Sequence, residues 1–288
     1  MRARSSRVSR IVYTRRMSKT VSTRNNVQVI GRGDDVLVFA HGFGTNHTAW
    51  RHQVSAFEDT HRIVLFDHVG THGTDLEDYS PHRYAGLESY SLDLLEVLES
   101  VKARNVFYVG HSMSGMIGLL AGLVRPQYFR GMLFIGASPR YLNSPDFKGG
   151  FERQDIDALY RTIEQHFEAW ASGFAQAAMG PSATPEMVKD FTSSLLSLRP
   201  DIALGVIRLI FESDYREQIT RLTVPTWVVQ PRNDFAVPIA VGEYLARSLP
   251  SGNIRYVPNE GHLPHLSAPD EVNQLIAEAL ATSALAAA

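Results

Sequence analysis

A serine, a histidine and an aspartate, far apart along this chain, could together move an acyl group. Acyl transfer by a serine hydroxyl needs a base to take its proton, an acid to orient that base, and donors for the oxyanion that forms. The serine is Ser112, in Gly110-His111-Ser112-Met113-Ser114-Gly115. The apolar run Val106-Phe107-Tyr108-Val109 before it reads as a buried strand, and Met116-Ile117-Gly118-Leu119-Leu120-Ala121 after it reads as a helix. A sharp strand-to-helix turn lifts the hydroxyl out of the sheet and aims the first free N–H groups of the helix at whatever the serine attacks. Small residues suit the turn because it brings the backbone close to its neighbours. The same pattern occurs at ordinary helix starts, where a serine acts as an N-cap, so the remaining groups must be found elsewhere in the chain.

The base candidate is His262, in Asn259-Glu260-Gly261-His262-Leu263-Pro264-His265, between the last strand-like run and the last helix. Its rival among eleven histidines is His265, which reads as a surface or lid-contact residue. The acid candidate is Asp234, just past the strand Thr226–Val229, where a carboxylate can accept Nδ1–H from the histidine and fix its tautomer. Asp234 could also be a turn aspartate before Pro238, and Asp214 is the alternative acid, although no strand leads into it. The oxyanion donors are expected to be the backbone N–H groups of Met113 and of Phe43, the latter in the turn His41-Gly42-Phe43-Gly44. Asp67-His68-Val69-Gly70-Thr71-His72-Gly73 contains metal-ligating residue types, but reads better as a glycine-punctuated loop whose aspartate ties down backbone. No metal and no other cofactor is expected.

The elements that must carry these residues alternate. Strands are predicted at Val27–Ile30, Val36–Ala40, Ile63–Phe66, Val106–Val109, Met132–Ile135, Thr226–Val229 and Ile254–Val257. Helices are predicted over Leu87–Val101 (with Leu92, Leu95 and Leu98 on one stripe), after Ser112, over 237–248 and over 270–282. Apolar strands alternating with helices imply a mostly parallel sheet covered on both faces. Residues 139–215 interrupt this pattern with several helices and no strand, and are expected to form a lid over the strand carboxyl ends. Ile156, Leu159, Tyr160, Ile163, Phe167, Trp170 and Phe174 recur there at helical spacing. The core is then 18–138 with 216–288.

Composition is that of a globular chain, 44% hydrophobic and 20% charged, and 288 residues suffice for one large domain with an insertion. A net charge of −2 points away from nucleic acid, and the lack of cysteine removes disulfides and thiolate chemistry. No apolar run is long enough to cross a bilayer, so no membrane partner is expected and the expected location is cytoplasmic. Residues 1–17 stand apart: Arg2, Arg4, Arg7, Arg10, Arg15 and Arg16 have no acid among them. Without those arginines, 22 basic residues face 30 acidic ones, a net of −8. The segment resembles an organelle transit peptide, but the reading preferred is an extension upstream of a natural start at Met17, poorly ordered either way.

Taken together, His41-Gly42-Phe43-Gly44-Thr45-Asn46-His47-Thr48-Ala49-Trp50, Phe66-Asp67-His68-Val69-Gly70, Gly110-His111-Ser112-Met113-Ser114, Glu212-Ser213-Asp214-Tyr215-Arg216 and Glu260-Gly261-His262-Leu263-Pro264-His265 resemble the RsbQ and strigolactone-karrikin receptor group of α/β-hydrolases. The stretch Gly149–Ile156, with Trp170 and Phe174, is similar too, and the resemblance spans about residues 18–280. It implies the α/β-hydrolase fold, a four-helix lid over a hydrophobic pocket, and the triad Ser112, Asp234 and His262. Ser114 stands where many esterases have glycine. His111, Phe151, Tyr160, Trp170, Phe174, Phe191 and Phe211 are the expected pocket residues, from spacing and family position. The resemblance implies a small hydrophobic ester or lactone as ligand. Plant members cleave butenolide-type compounds slowly and signal through partner proteins, and the bacterial member regulates stress through a PAS-domain phosphatase. Two functions therefore compete: a serine esterase or lactonase, and a ligand-gated signalling module with slow or incidental hydrolysis. A dehalogenase is disfavoured because its nucleophile would be an aspartate at position 112, whereas a carbon–carbon hydrolase would use the same triad.

Overall fold

The computed structural model describes residues 20–71 and 73–287. The basic extension expected at the start, as well as His72 and Ala288, lie outside the described residues. Seven strands form one sheet: β1 Gln28–Ile30, β2 Val36–Ala40, β3 Arg62–Phe66, β4 Val106–His111, β5 Phe129–Ile135, β6 Thr226–Asn233 and β7 Gly252–Glu260. Their spatial order is β1-β3-β2-β4-β5-β6-β7. Among the described strands only the β1–β3 pair is antiparallel; the other pairs run parallel.

Alternation along the strands divides the interior in two. Val36, Val38 and Ala40 of β2, Val106 and Tyr108 of β4, and Met132 and Phe134 of β5 face one side. They pack there against helices Leu87–Ser100, Met113–Val124 and Ile239–Ser248. Leu37, Phe39, Phe107, Val109, Leu133 and Ile135 face the other side, against Trp50, Phe57 and the helix Pro269–Ala287. Each fully buried side chain of this size contributes roughly 1.5–3 kcal/mol, so both faces hold the sheet. The predicted leucine stripe on Leu87–Ser100 needs correction. Leu95 and Leu98 are buried, but Leu92 is 52% exposed, and Leu87, Tyr90 and Leu94 complete the buried face. Repeated three-residue steps fall about 60° short of a full turn each time, so a run of them drifts off any one face.

Between β5 and β6 the chain forms four long helices, Arg153–Gln165, Phe167–Met179, Pro185–Leu196 and Pro200–Glu212, and then a one-turn helix, Arg216–Ile219. The long apolar stripe predicted across the first two is broken at His166, whose φ of −143° lies outside the helical range. Asp214 accepts hydrogen bonds from Arg140 and Arg216, and so joins the points where the chain leaves and re-enters the sheet layer. Among the described residues no helix is long and apolar enough to cross a membrane.

Candidate active site

Parallel pairing brings the carboxyl ends of β2, β4, β5, β6 and β7 to one edge, and Phe43, Ser112, Asp234 and His262 lie just beyond β2, β4, β6 and β7. Ser112 follows β4 directly, with φ 55° and ψ −120°, a conformation that L-residues hold only under strain. The surrounding bonds impose it: Ser112 N–H donates to Ile135 O at 2.8 Å, and Gly115 N–H donates to Ser112 O at 2.9 Å. A side chain at position 115 would run into Ala137, which is why the turn needs a residue without one there.

The structure brings Ser112, His262 and Asp234 into one line. The Ser112 hydroxyl lies 2.8 Å from His262 Nε2, and His262 Nδ1 lies 2.7 Å from Asp234 Oδ2. A carboxylate can only accept, so Nδ1 carries the proton and Nε2 is free to accept one from the serine. The Asp234 side chain is fully buried, and its Oδ1 accepts from the N–H groups of Ala236 (2.8 Å) and Val237 (3.2 Å). Asp214 is committed to its two arginines and has no contact with His262.

The turn after β2 is held from below by a buried polar cluster. His41 Nδ1–H and the Thr45 hydroxyl both donate to Gly42 O, at 2.8 and 3.0 Å. Ser114 donates to His41 O and accepts from His68 Nε2–H at 2.8 Å, while His68 N–H donates to His41 Nε2. The serine two places past Ser112 thus ties the Phe43 turn to the helix that follows Ser112. Neither the Phe43 nor the Met113 backbone N–H donates to another described residue, as an oxyanion site requires. His111 Nε2–H donates to the carbonyl of His262 at 2.8 Å, fixing the backbone of that loop. Burial lowers the pKa values of His41, His68 and His111, which keeps these rings neutral.

The Ser112 hydroxyl opens into a narrow cavity. Of the seven expected pocket residues His111, Phe174, Phe191 and Phe211 line it, beside Phe43 of the turn after β2. Phe151, Tyr160 and Trp170 do not. Phe151 packs behind Phe211 and Tyr141, Tyr160 hydrogen-bonds Glu212 under the Arg208 guanidinium, and Trp170 stacks between Phe167 and Phe174. Helical spacing marks the apolar face of an inserted helix, but part of that face packs against the neighbouring helix instead of the cavity. Tyr141, Ala178, Ile207, Ile210, Ala236 and Leu263 also line it and were not expected. The Tyr141 phenol contacts the Ser112 hydroxyl, and burial raises its pKa well above the usual value. Its position in the loop after β5 was the only available signal.

Two other expectations resolve differently. His265 is neither at the surface nor at the lid: it is fully buried between the Trp50 and His111 rings, 4.5 Å from each. The reason is that Leu263–Ala268 folds back under the sheet edge, and the Gln53 amide clasps the His265 carbonyl. Asp67 accepts from the His47 backbone N–H (2.7 Å), its ring and Asn26, which is the backbone-tying role that its loop suggested.

This geometry is that of a wider class. The α/β hydrolase family profile matches residues 37–275, and the chain belongs to that family. Among named relatives it is 41% identical to the karrikin insensitive 2 receptor CA of Petunia hybrida over 88% of this chain and 94% of that protein. It is also 41% identical to the strigolactone esterase D14 of Arabidopsis thaliana, over 88% of this chain and 96% of that one. A solved hydrolase from Oleispira antarctica superposes with a TM-score of 0.87 at 30% identity, covering 90% of this chain and 95% of the other.

Proposed function

We propose that this protein is a serine hydrolase of small hydrophobic esters or lactones, butenolides among them. The hydrogen-bonded line Asp234–His262–Ser112, ending in an apolar cavity, carries the reading. Ser112 Oγ attacks the acyl carbon as His262 Nε2 takes its proton. The carbonyl electrons move onto oxygen, held by the Phe43 and Met113 N–H groups, and return as the C–O bond breaks. His262 passes its proton to the leaving oxygen, which stays tethered to the acyl group in a lactone. Water, deprotonated by His262, then attacks the acyl carbon, and His262 returns that proton to Ser112 Oγ as the acyl–oxygen bond breaks. Asp234 holds the histidine tautomer throughout, and the four inserted helices act as the lid that shields the reaction. The reading is tested by turnover of a fluorogenic butenolide beside p-nitrophenyl acetate and butyrate, for the wild type and Ser112→Ala. Serine-dependent turnover is expected, and full activity in Ser112→Ala overturns the reading.

A second reading, a ligand-gated module read by a signalling partner protein, is favoured by the narrowness of the cavity and by the receptor names among the relatives. On that reading, butenolide gives an early burst and slow release, and partner binding persists in Ser112→Ala. Fast multiple turnover of simple esters with the butenolide ignored speaks against it.

A further inference from the structure

The lid is more than a cover. Ser194, on the third inserted helix, donates its hydroxyl to the carbonyl of Gly44 at 2.6 Å, across 150 positions of sequence. Gly44 closes the turn that carries the Phe43 N–H. Its φ is +76°, and a Cβ there would meet Leu195 Cδ2 at 2.5 Å and Phe191 Cε2 at 3.2 Å, so the backbone lies directly beneath that helix. Leu195 is fully buried and Phe191 lines the catalytic cavity. The turn therefore has two anchors of different origin. Its Gly42 carbonyl is fixed by His41 and Thr45 from the sheet layer, and its Gly44 carbonyl by Ser194 from the inserted layer. The Phe43 N–H shares its peptide plane with the Gly42 carbonyl, and the Gly44 carbonyl follows two peptide units further on.

We infer that Ser194 is a positioning residue for the oxyanion site. Its hydrogen bond to Gly44 locks the Phe43 N–H into its catalytic orientation when the third inserted helix is seated, which makes the seating of the lid a condition for oxyanion stabilisation. The inference rests on the serine-hydrolase reading above. Ser194 touches no reacting atom, so its loss leaves substrate binding in place and weakens only the hold on developing charge. Complete loss of one oxyanion donor costs roughly 100- to 1000-fold in rate, and a donor that is displaced but still present costs less, about tenfold.

The test compares steady-state hydrolysis of p-nitrophenyl acetate by the wild type, Ser112→Ala, Ser194→Ala, Ser194→Thr and Ser193→Ala. Ser193 is exposed on the same helix, and its hydroxyl bonds only to Lys189 O within that helix, so it controls for loss of a helical hydroxyl. Ser194→Ala is expected to lower kcat about tenfold with KM changed by less than about twofold, Ser194→Thr to restore most of the rate, and Ser193→Ala to match the wild type. An unchanged kcat in Ser194→Ala, a loss expressed only through KM, or an equal loss in Ser193→Ala overturns the inference. Should Ser194→Ala melt early, the near-isosteric pair Ser194→Thr and Ser194→Val decides, since only threonine keeps the hydroxyl. The serine-hydrolase reading fails separately, when Ser112→Ala turns over as fast as the wild type.

Discussion

The backbone N–H of His262 donates to the carbonyl of Ala178 at 2.6 Å. Ala178 lies near the end of the second inserted helix, so the loop carrying the base is bonded to the layer above it as well as to the sheet. The two backbones meet without side chains between them: a Cβ on Gly261, whose φ is +111°, would lie 2.4 Å from Met179 O. Gly261→Ala is therefore expected to cost about 1–3 kcal/mol of stability and to lower esterase activity by displacing His262. On the same helix, Gly173 is exposed and a Cβ there meets nothing within 4 Å. Gly173→Ala should gain about 0.5–1 kcal/mol. Urea melts of the two variants check both signs.

Ser112 holds a backbone conformation suited to glycine. Ser112→Gly is expected to raise the melting temperature by relieving about 1 kcal/mol of strain while abolishing turnover. Ser112→Ala keeps the strain and loses activity alone. A Ser112→Gly protein that melts below the wild type would contradict the reading of this turn as strained.

Asp234→Asn preserves an oxygen for the Ala236 and Val237 N–H groups but cannot hold the Nδ1–H tautomer of His262. We expect kcat to fall roughly 10,000-fold with the fold intact, measured as p-nitrophenyl acetate hydrolysis beside a circular-dichroism melt. A loss below about tenfold would mean that Asp234 serves the turn more than the histidine.

The buried histidines His41, His68, His111 and His265 make the fold acid-labile. Burial lowers His41, His68 and His111 and takes His265 down to about 3, so the unfolded chain binds protons that the folded one refuses. The stability these rings contribute is complete above about pH 6.5, the unfolded value, and is lost as pH falls from there toward their folded values. His47 opposes this: its hydrogen bond to Asp67 raises its pKa, so its contribution is present below pH 6.5 and fades as pH rises through that higher value. The urea midpoint should drop between pH 7 and pH 5, and His265→Phe, which removes a ring whose nitrogens have no partner among the described residues, should flatten that slope. An unchanged slope would remove His265 from the account.

The strands and the line Ser112–Asp234–His262 were legible because each depends on local pattern: continuous apolar runs, small residues at a turn, and a polar residue directly after a strand. The antiparallel direction of β1 was not, since three residues carry no sign of direction. The cavity lining was half legible. Phe174, Phe191 and Phe211 announce an apolar face, but nothing in a helical period separates them from Trp170 and Tyr160, whose neighbours are set by how four helices meet. Tyr141 sits in an irregular loop and His265 in a one-turn helix, and for both burial is decided by contacts far off in sequence, with Phe211 and Ser112 for the first and with Trp50 for the second.

The division of the sheet into two alternating faces has a consequence for how this protein can change over generations. Each strand is a ruler with a tooth for either core, so one residue added inside β4 would exchange the Phe107 and Tyr108 faces and mispack both cores at once. The same addition in the loop between β5 and the first inserted helix leaves both in register. The sheet is thus closed to changes of length, while the segments at its carboxyl edge are open to them. New chemistry in this lineage has most room to arise in the layer that already lines the cavity.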